Sequence, residues 1–440
     1  MNTPICDFVR KYNDNGALRL HMPGHKGEGA LGIEALDITE IDGADSLYQA
    51  SGIIKQSEEN ASLLFGAKTF YSTEGSSHCI RAMLYLCSLL GDGRPLIFAG
   101  RNAHKAFLTA AALMDFDVKW LYPNENETYL SCKIDPKALD IALSSADRLP
   151  SAVYLTSPDY LGNTQDIKAI AEVCHKHGVL LAVDNAHGAY LKFLPKSCHP
   201  IDLGADICCD SAHKTLPVLT GGAYLHISPT APDFFAENAK KSLSIFGSTS
   251  PSYLILQSLD ATNAYIASGL SQKLAEFTIK VSQCKKRLAE NGYCFIGDEP
   301  MKLTLATKKY GYTGYALKDI LRENGIYVEF SDPDYLVMML TVDTDIERLE
   351  RVLLSIPKLN EILVSPPRFS TPRQVLSVRD ACFAKSELIP IKNANGRTLA
   401  EVSVGCPPAV PIAACGERLT KEIIKCFEYY GITECSVVVE

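Results

Sequence analysis

Between Phe65 and Ala289 the chain alternates short, almost wholly apolar runs with stretches in which apolar residues recur every three or four positions. The runs are Leu96–Ala99, Val118–Leu121, Ala152–Leu155, Val179–Val183, Ile207–Cys209 and Gly222–Ile227. Helical spacing is clearest at Ile80, Met83 and Leu84, and again at Ile167, Ile170, Ala171 and Cys174. Apolar strands without a polar face, separated by helices, predict a mostly parallel sheet covered on both sides, and so an α/β domain. Beyond residue 290 the pattern mixes strands (Lys302–Leu305, Tyr327–Phe330, Tyr335–Leu340) with helices (Tyr315–Glu323, Asp345–Ser355), which predicts a smaller α+β domain. The Pro-rich link Ser365-Pro366-Pro367 leads into a last module. Residues 1–64 are polar and turn-rich and read as an arm. The expected layout is an arm (1–64), a large domain (65–289), a small domain (290–364) and a C-terminal module (365–440).

Composition narrows this picture in three ways. A length of 440 residues with 47% hydrophobic and 21% charged positions suits a globular protein of two or three domains. A net charge of −8 argues against a nucleic-acid partner, which needs a basic face. No apolar run approaches the roughly 20 residues that span a bilayer, and the start Met1-Asn2-Thr3-Pro4 lacks the basic and apolar regions of a signal peptide. A cytoplasmic location is the expectation. The 15 cysteines are scattered and contain no Cys-x-x-Cys pair, so they read as reduced, mostly buried thiols, with no metal expected.

Four stretches carry candidate chemistry. Asp206-Ile207-Cys208-Cys209-Asp210-Ser211-Ala212-His213-Lys214-Thr215-Leu216-Pro217 delivers Ser-x-His-Lys from a short buried strand, and a partly desolvated lysine there can condense with an aldehyde. Thirty residues upstream, Asp184 ends the apolar run 179–183, at the strand edge where open parallel sheets bind ligands. Such a carboxylate can keep a pyridine nitrogen protonated, although a helix cap or a metal ligand would look the same. Gly75-Ser76-Ser77 opens a helix and supplies N–H groups, hydroxyls and the positive dipole end, a seat for phosphate. His104, in Arg101-Asn102-Ala103-His104-Lys105, sits in a loop after a strand and can stack on an aromatic ring. Each has an ordinary explanation taken singly. Their order within one α/β domain is the informative feature.

These segments, with His21-Met22-Pro23-Gly24-His25-Lys26-Gly27, Asp37-Ile38-Thr39-Glu40 and Asp184-Asn185-Ala186-His187-Gly188, resemble the short, wingless form of the Orn/Lys/Arg decarboxylase family. A degraded C-terminal signature adds Thr371-Pro372-Arg373 and Cys406-Pro407-Pro408-Ala409-Val410-Pro411. The resemblance implies a fold type I (aspartate-aminotransferase-like) enzyme dependent on pyridoxal 5'-phosphate. It implies Lys214 as the covalent anchor, Asp184 at the pyridine nitrogen, His104 on one ring face and Ala186 on the other. Ser76, Ser77, Ser211 and His213 would hold the phosphate, and His187 would lie beside the ring. The chain departs from the family pattern at Asn185 (usually Glu), at Glu74-Gly75-Ser76-Ser77 (usually Asn-Gly-Thr-Thr/Ser) and at Ala409 (usually Gly).

The expected reaction is α-decarboxylation of a basic amino acid, arginine or lysine before ornithine, giving CO2 and a polyamine precursor. Glu40, Asp42, Asp45 and Glu417 are candidates for reading the cationic side chain. The resemblance also implies a homodimer or higher homo-oligomer. The alternatives are another reaction of the same cofactor, aminotransferase or lyase, or a non-catalytic homologue that binds it.

Overall fold

A computed structural model describes residues 1–91, 93–123, 129–368, 370–406 and 410–439. The signature residues Pro407, Pro408 and Ala409 lie outside them. The chain forms two compact units, each assembled from separate stretches: residues 1–90 with 167–274, and residues 91–166 with 275–440.

Six strands follow the expected apolar runs and one, β1, does not: β1 (Lys68–Ser72), β2 (Leu96–Gly100), β3 (Asp117–Leu121), β4 (Ala152–Thr156), β5 (Leu180–Asp184), β6 (Ile207–Asp210) and β7 (Ala223–Ile227). In the first unit β5 pairs with β6 in parallel, while β6–β7 and β7–β1 are antiparallel. In the second unit β2 pairs in parallel with both β3 and β4. Parallel strands buried on both faces explain the lack of alternation in the text. β1 escaped the sequence reading because Lys68-Thr69-Phe70-Tyr71-Ser72 is largely polar. It is buried by its pairing with β7 rather than by its own composition.

The arm is more structured than its composition suggested. It contains α1 (Pro4–Asp14) and α2 (Ile53–Phe65). Asp260 accepts the N–H groups of Ile5 and Cys6, both at 3.0 Å, and so satisfies N–H groups at the start of α1 that lack a partner within the helix. Asp45 does the same for α2 from seven residues upstream of Gly52. Its carboxylate accepts N–H from Ser46, Ser51, Gly52, Ile54 and Lys55. Burial opposes ionisation of Asp45, but these backbone donors outweigh it and hold the carboxyl below its ordinary value. Asp45→Ala is therefore expected to cost about 0.5–2 kcal/mol, the usual worth of a helix cap. A lowered carboxyl stabilises the fold above its unfolded pKa and loses that effect as pH falls through the folded one. Chemical denaturation of both proteins at neutral and strongly acidic pH checks this, and an equal gap at both would contradict it.

α3 (Gly75–Ser88) carries the helical spacing seen at residues 80–84, and α4 (Lys105–Met114) follows β2. In the second unit the small sheet is antiparallel, in the order Phe330–Ser331, Tyr335–Met339, Lys302–Ala306, Phe295–Ile296. The strand expected over Tyr327–Phe330 shrinks to Phe330–Ser331, since Tyr327 is 83% exposed and lies outside the pairing. A core formed by Leu130, Val337, Ile412, Ile423, Phe427 and their neighbours lies within this unit. Among the described residues no helix is long and apolar enough to cross a membrane.

Candidate active site

The first unit places the ends of β5 and β6 side by side, with Asp184 opposite Cys209 in the parallel register. Asp184 is the last residue of β5 and is buried. Its Oδ1 accepts the N–H of Ala186 (3.1 Å), and the thiol of Cys209 donates to the same oxygen over 3.8 Å. Burial, reinforced by the Asp184 charge, pushes the Cys209 thiol far up, so it stays protonated as a donor.

One residue after β6, the short helix Ala212–Thr215 carries His213 and Lys214. Lys214 is half-buried, and its Nζ donates to Nε2 of His187 at 3.1 Å. His187 is buried and lies three residues after Asp184, so the two strand ends supply an amine and a proton acceptor in contact. The His213 backbone and ring both donate to the carbonyl of Gly222, at 3.2 and 3.0 Å, which fixes the turn leading to Lys214.

At the start of α3, Ser76 is buried and accepts the hydroxyl hydrogen of Ser211 at 2.7 Å. Ser77, the next residue, is half-buried. Gly75 has φ +74°, a left-handed conformation that costs a residue with Cβ, and its N–H is held by the Gly221 carbonyl (2.7 Å). The beginning of a 14-residue helix thus meets the exit of β6 through paired hydroxyls, where N–H groups and the helix dipole favour an anion.

This donor set fits pyridoxal phosphate: an amine for the aldehyde, a helix start with two hydroxyls for the phosphate, and a buried acid at a strand end for the pyridine nitrogen. The geometry joins Ser76 to Ser211, His187 to Lys214 and Asp184 to Ala186. His104 belongs to the second unit, where it caps α4. Its Nδ1 accepts the Ala106 N–H at 3.1 Å.

Two expectations for the substrate's cationic side chain change. Glu417 is fully buried and bound to the Arg101 guanidinium at 2.9 Å, while also accepting the Ala414 N–H at 2.6 Å. Asp45 is occupied by the cap of α2 described above. Glu40 and Asp42 remain exposed, Glu40 accepting the Ser46 hydroxyl at 2.7 Å. Residues to which the sequence reading gave no role in the site also surround it. Cys209 supports Asp184, and Asn185 donates to a buried carboxylate, Asp210, at 2.7 Å. The textual signal was, for Cys209, a polarisable residue in the strand before Ser211 and, for Asn185, its departure from the family pattern beside Asp184.

The family model for the Orn/Lys/Arg decarboxylase major domain matches residues 3–296. An arginine decarboxylase of Bacillus subtilis is 32% identical, over 96% of this chain and 92% of its own. One from Halalkalibacterium halodurans is 30% identical, over 95% and 91%. Among solved structures, a lysine decarboxylase of Francisella novicida superposes with TM-score 0.79 at 18% identity, over 99% of this chain and 81% of its own. An alanine–glyoxylate aminotransferase of Nostoc, at TM-score 0.54 and 16% identity, covers 68% of this chain and 86% of its own. At such identities these two structures speak for the fold alone.

Proposed function

The chain belongs to the Orn/Lys/Arg decarboxylase family and is a pyridoxal-phosphate-dependent decarboxylase of fold type I; we propose that its substrate is arginine, with lysine second and ornithine third. The observation that carries this order is the full-length similarity to arginine decarboxylases. The chemistry of the donor set supports the cofactor, and the family match supports the decarboxylase reading.

In this reading Lys214 anchors the cofactor, and Asp184 keeps its ring nitrogen charged. When bound, the cofactor supplies an electron sink for the pair left by departing CO2. Asp184 suits its task because Ala186 and Cys209 hold it in place before any substrate arrives, so little reorganisation is needed at the moment of reaction. His187 accepts a proton from Lys214 at Nε2, which frees the amine to act as a nucleophile. Ser76, Ser77, Ser211 and His213 bind the phosphate, and His104 and Ala186 flank the ring. The four-part division into arm, large domain, small domain and C-terminal module belongs to the same reading, as does a cytoplasmic location.

The reading includes a homodimer. Leu18, Leu20, Met22 and Leu31 are 82%, 83%, 69% and 79% exposed along one segment of the arm, a run of apolar surface of the kind a second copy covers. Sedimentation of the purified protein checks this, and a monomer at micromolar concentration would contradict it.

The substrate is tested by incubating loaded enzyme with arginine, lysine and ornithine and identifying the amines by mass. Agmatine with release of CO2 is the expected result. Cadaverine as the main product would move the assignment to lysine, and keto acid without CO2 would point to transamination.

A further inference from the structure

Behind the candidate site lies a group of fully buried polar residues that the proposed chemistry does not use. Asp210 is the last residue of β6, and its Oδ2 accepts Nε2–H from both His199 and His226, each at 3.1 Å. Its Oδ1 accepts the side-chain amide of Asn185 at 2.7 Å. His226 is tied further, through Nδ1, to the Thr69 hydroxyl at 2.9 Å. Asp210, Asn185, His199 and His226 all have 0% exposure.

Their placement follows from strand alternation. Asp184 and Cys209 face each other across the β5–β6 pair, and the next residues along the chain, Asn185 just beyond β5 and Asp210 at the end of β6, meet in turn. A buried carboxylate is costly unless several donors surround it, and three N–H groups do so here. Burial opposes the charge on Asp210, yet the imidazoles of His199 and His226 outweigh it and hold the carboxyl below the usual range. Burial also keeps His226 below its ordinary value, so it donates as a neutral ring.

Local backbone fits the arrangement. A Cβ on Gly188 would stand 2.0 Å from Asn185 Oδ1, so the glycine after His187 makes room for the Asn185 amide. At position 185, where the family pattern has Glu, a glutamate would set a second carboxylate against Asp210; Asn185 supplies a donor instead.

We propose that Asp210 is a positioning residue, which through Asn185, His199 and His226 fixes the distance between Asp184 at the end of β5 and Lys214 beyond the end of β6. This rests on the reading above, in which those two groups bracket one cofactor. Directional hydrogen bonds specify a spacing that apolar packing would leave looser.

The test uses full-length protein stripped of cofactor and titrated with pyridoxal phosphate. Affinity is followed by fluorescence quenching, and the visible absorbance of lysine-bound pyridoxal is recorded against pH. Asp210→Leu is expected to weaken cofactor binding by about 10–100-fold, as loss of a supporting shell does at ligand sites, and to shift the pH at which the band changes. Asp210→Asn, which keeps the shape and one acceptor, is expected to restore most of both. Should Asp210→Leu fail to fold, Asn185→Ala removes only the tie to β5 and leaves Asp210 its two imidazoles; the same direction of change is expected.

Folded Asp210→Leu or Asn185→Ala protein with wild-type affinity and an unchanged band profile would overturn the inference alone. A wild-type protein that never develops the band would overturn the cofactor reading and this inference with it. Cys208, His199 and Asp210 also offer ligand atoms within 4.8 Å of one another, so stoichiometric zinc in the purified protein would overturn the positioning role.

Discussion

Lys214→Ala protein is expected to be colourless when mixed with pyridoxal phosphate and to lose decarboxylation by on the order of 10³-fold or more, the scale seen when a covalent catalytic group is deleted. One amine serves two functions in the proposed site. Lys214 sits half-buried against Nε2 of His187, and alanine would remove both the proposed covalent anchor and the amine proposed to return the site to its resting state. The proposed phosphate seat at Ser76 and Ser211 is untouched by the change, so non-covalent cofactor binding is expected to persist more weakly. Absorbance spectra, equilibrium dialysis of the cofactor and CO2 release separate these effects. A visible band that survives borohydride reduction and maps by peptide mass to another lysine would show that the anchor lies elsewhere.

Breaking the Arg101–Glu417 pair is expected to have the largest effect on stability. Glu417→Ala leaves a guanidinium buried at 1% side-chain exposure without its counter-charge, a change that typically costs about 3–5 kcal/mol. Arg101 also donates to the carbonyls of Pro411 (2.9 Å) and Ile412 (3.2 Å) and lies 5.2 Å from the Trp120 ring centroid. It therefore fastens the segment 411–417 to the loop that starts α4, three residues before His104. Arg379, from the helix Val378–Phe383, grips the other end of α4 by donating to the carbonyls of Ala112 (2.9 Å) and Leu113 (3.2 Å).

Differential scanning calorimetry on Glu417→Ala should show a melting point lower by several degrees. Replacing both partners with methionine should recover much of that loss, because no uncompensated charge then remains in the core. A double variant no better than the single one would show that the charge pair itself, rather than its mutual compensation, holds the segment. Normal stability of Glu417→Ala would refute the lock altogether.

How much of this was readable in the text depends on the range of the interaction. The six apolar runs between Leu96 and Ile227 all became strands, within about a residue at their ends, because a strand buried on both faces must be apolar over its own length. The positions of Ser76 at a helix start, His104 before one, Asp184 at a strand end and Lys214 after a strand were legible for the same reason. Each motif is a strand exit or a helix start, and both are written locally. β1 was not readable, because its burial comes from pairing with β7, more than 150 residues away. The two arm helices were hidden for a related cause: their starts are satisfied by Asp260 and Asp45, which are remote from the helix caps that a sequence reading inspects.

By itself the chain of amino acids determined the fold class, the candidate cofactor and the lysine proposed to carry it, since each follows from short stretches whose pattern reflects which face is buried. Only the tertiary structure decided the fate of the acids. Glu417, read as a substrate contact, meets Arg101 across 316 residues of sequence; Asp45 caps a helix; and Asp210, unremarked between Cys209 and Ser211, gathers two histidines and an asparagine. A carboxylate looks the same in the text whether it faces water, a substrate or a buried cation. Which of these it meets is set by the folding of distant segments around it, and there the cost of burying a charge selects its partner.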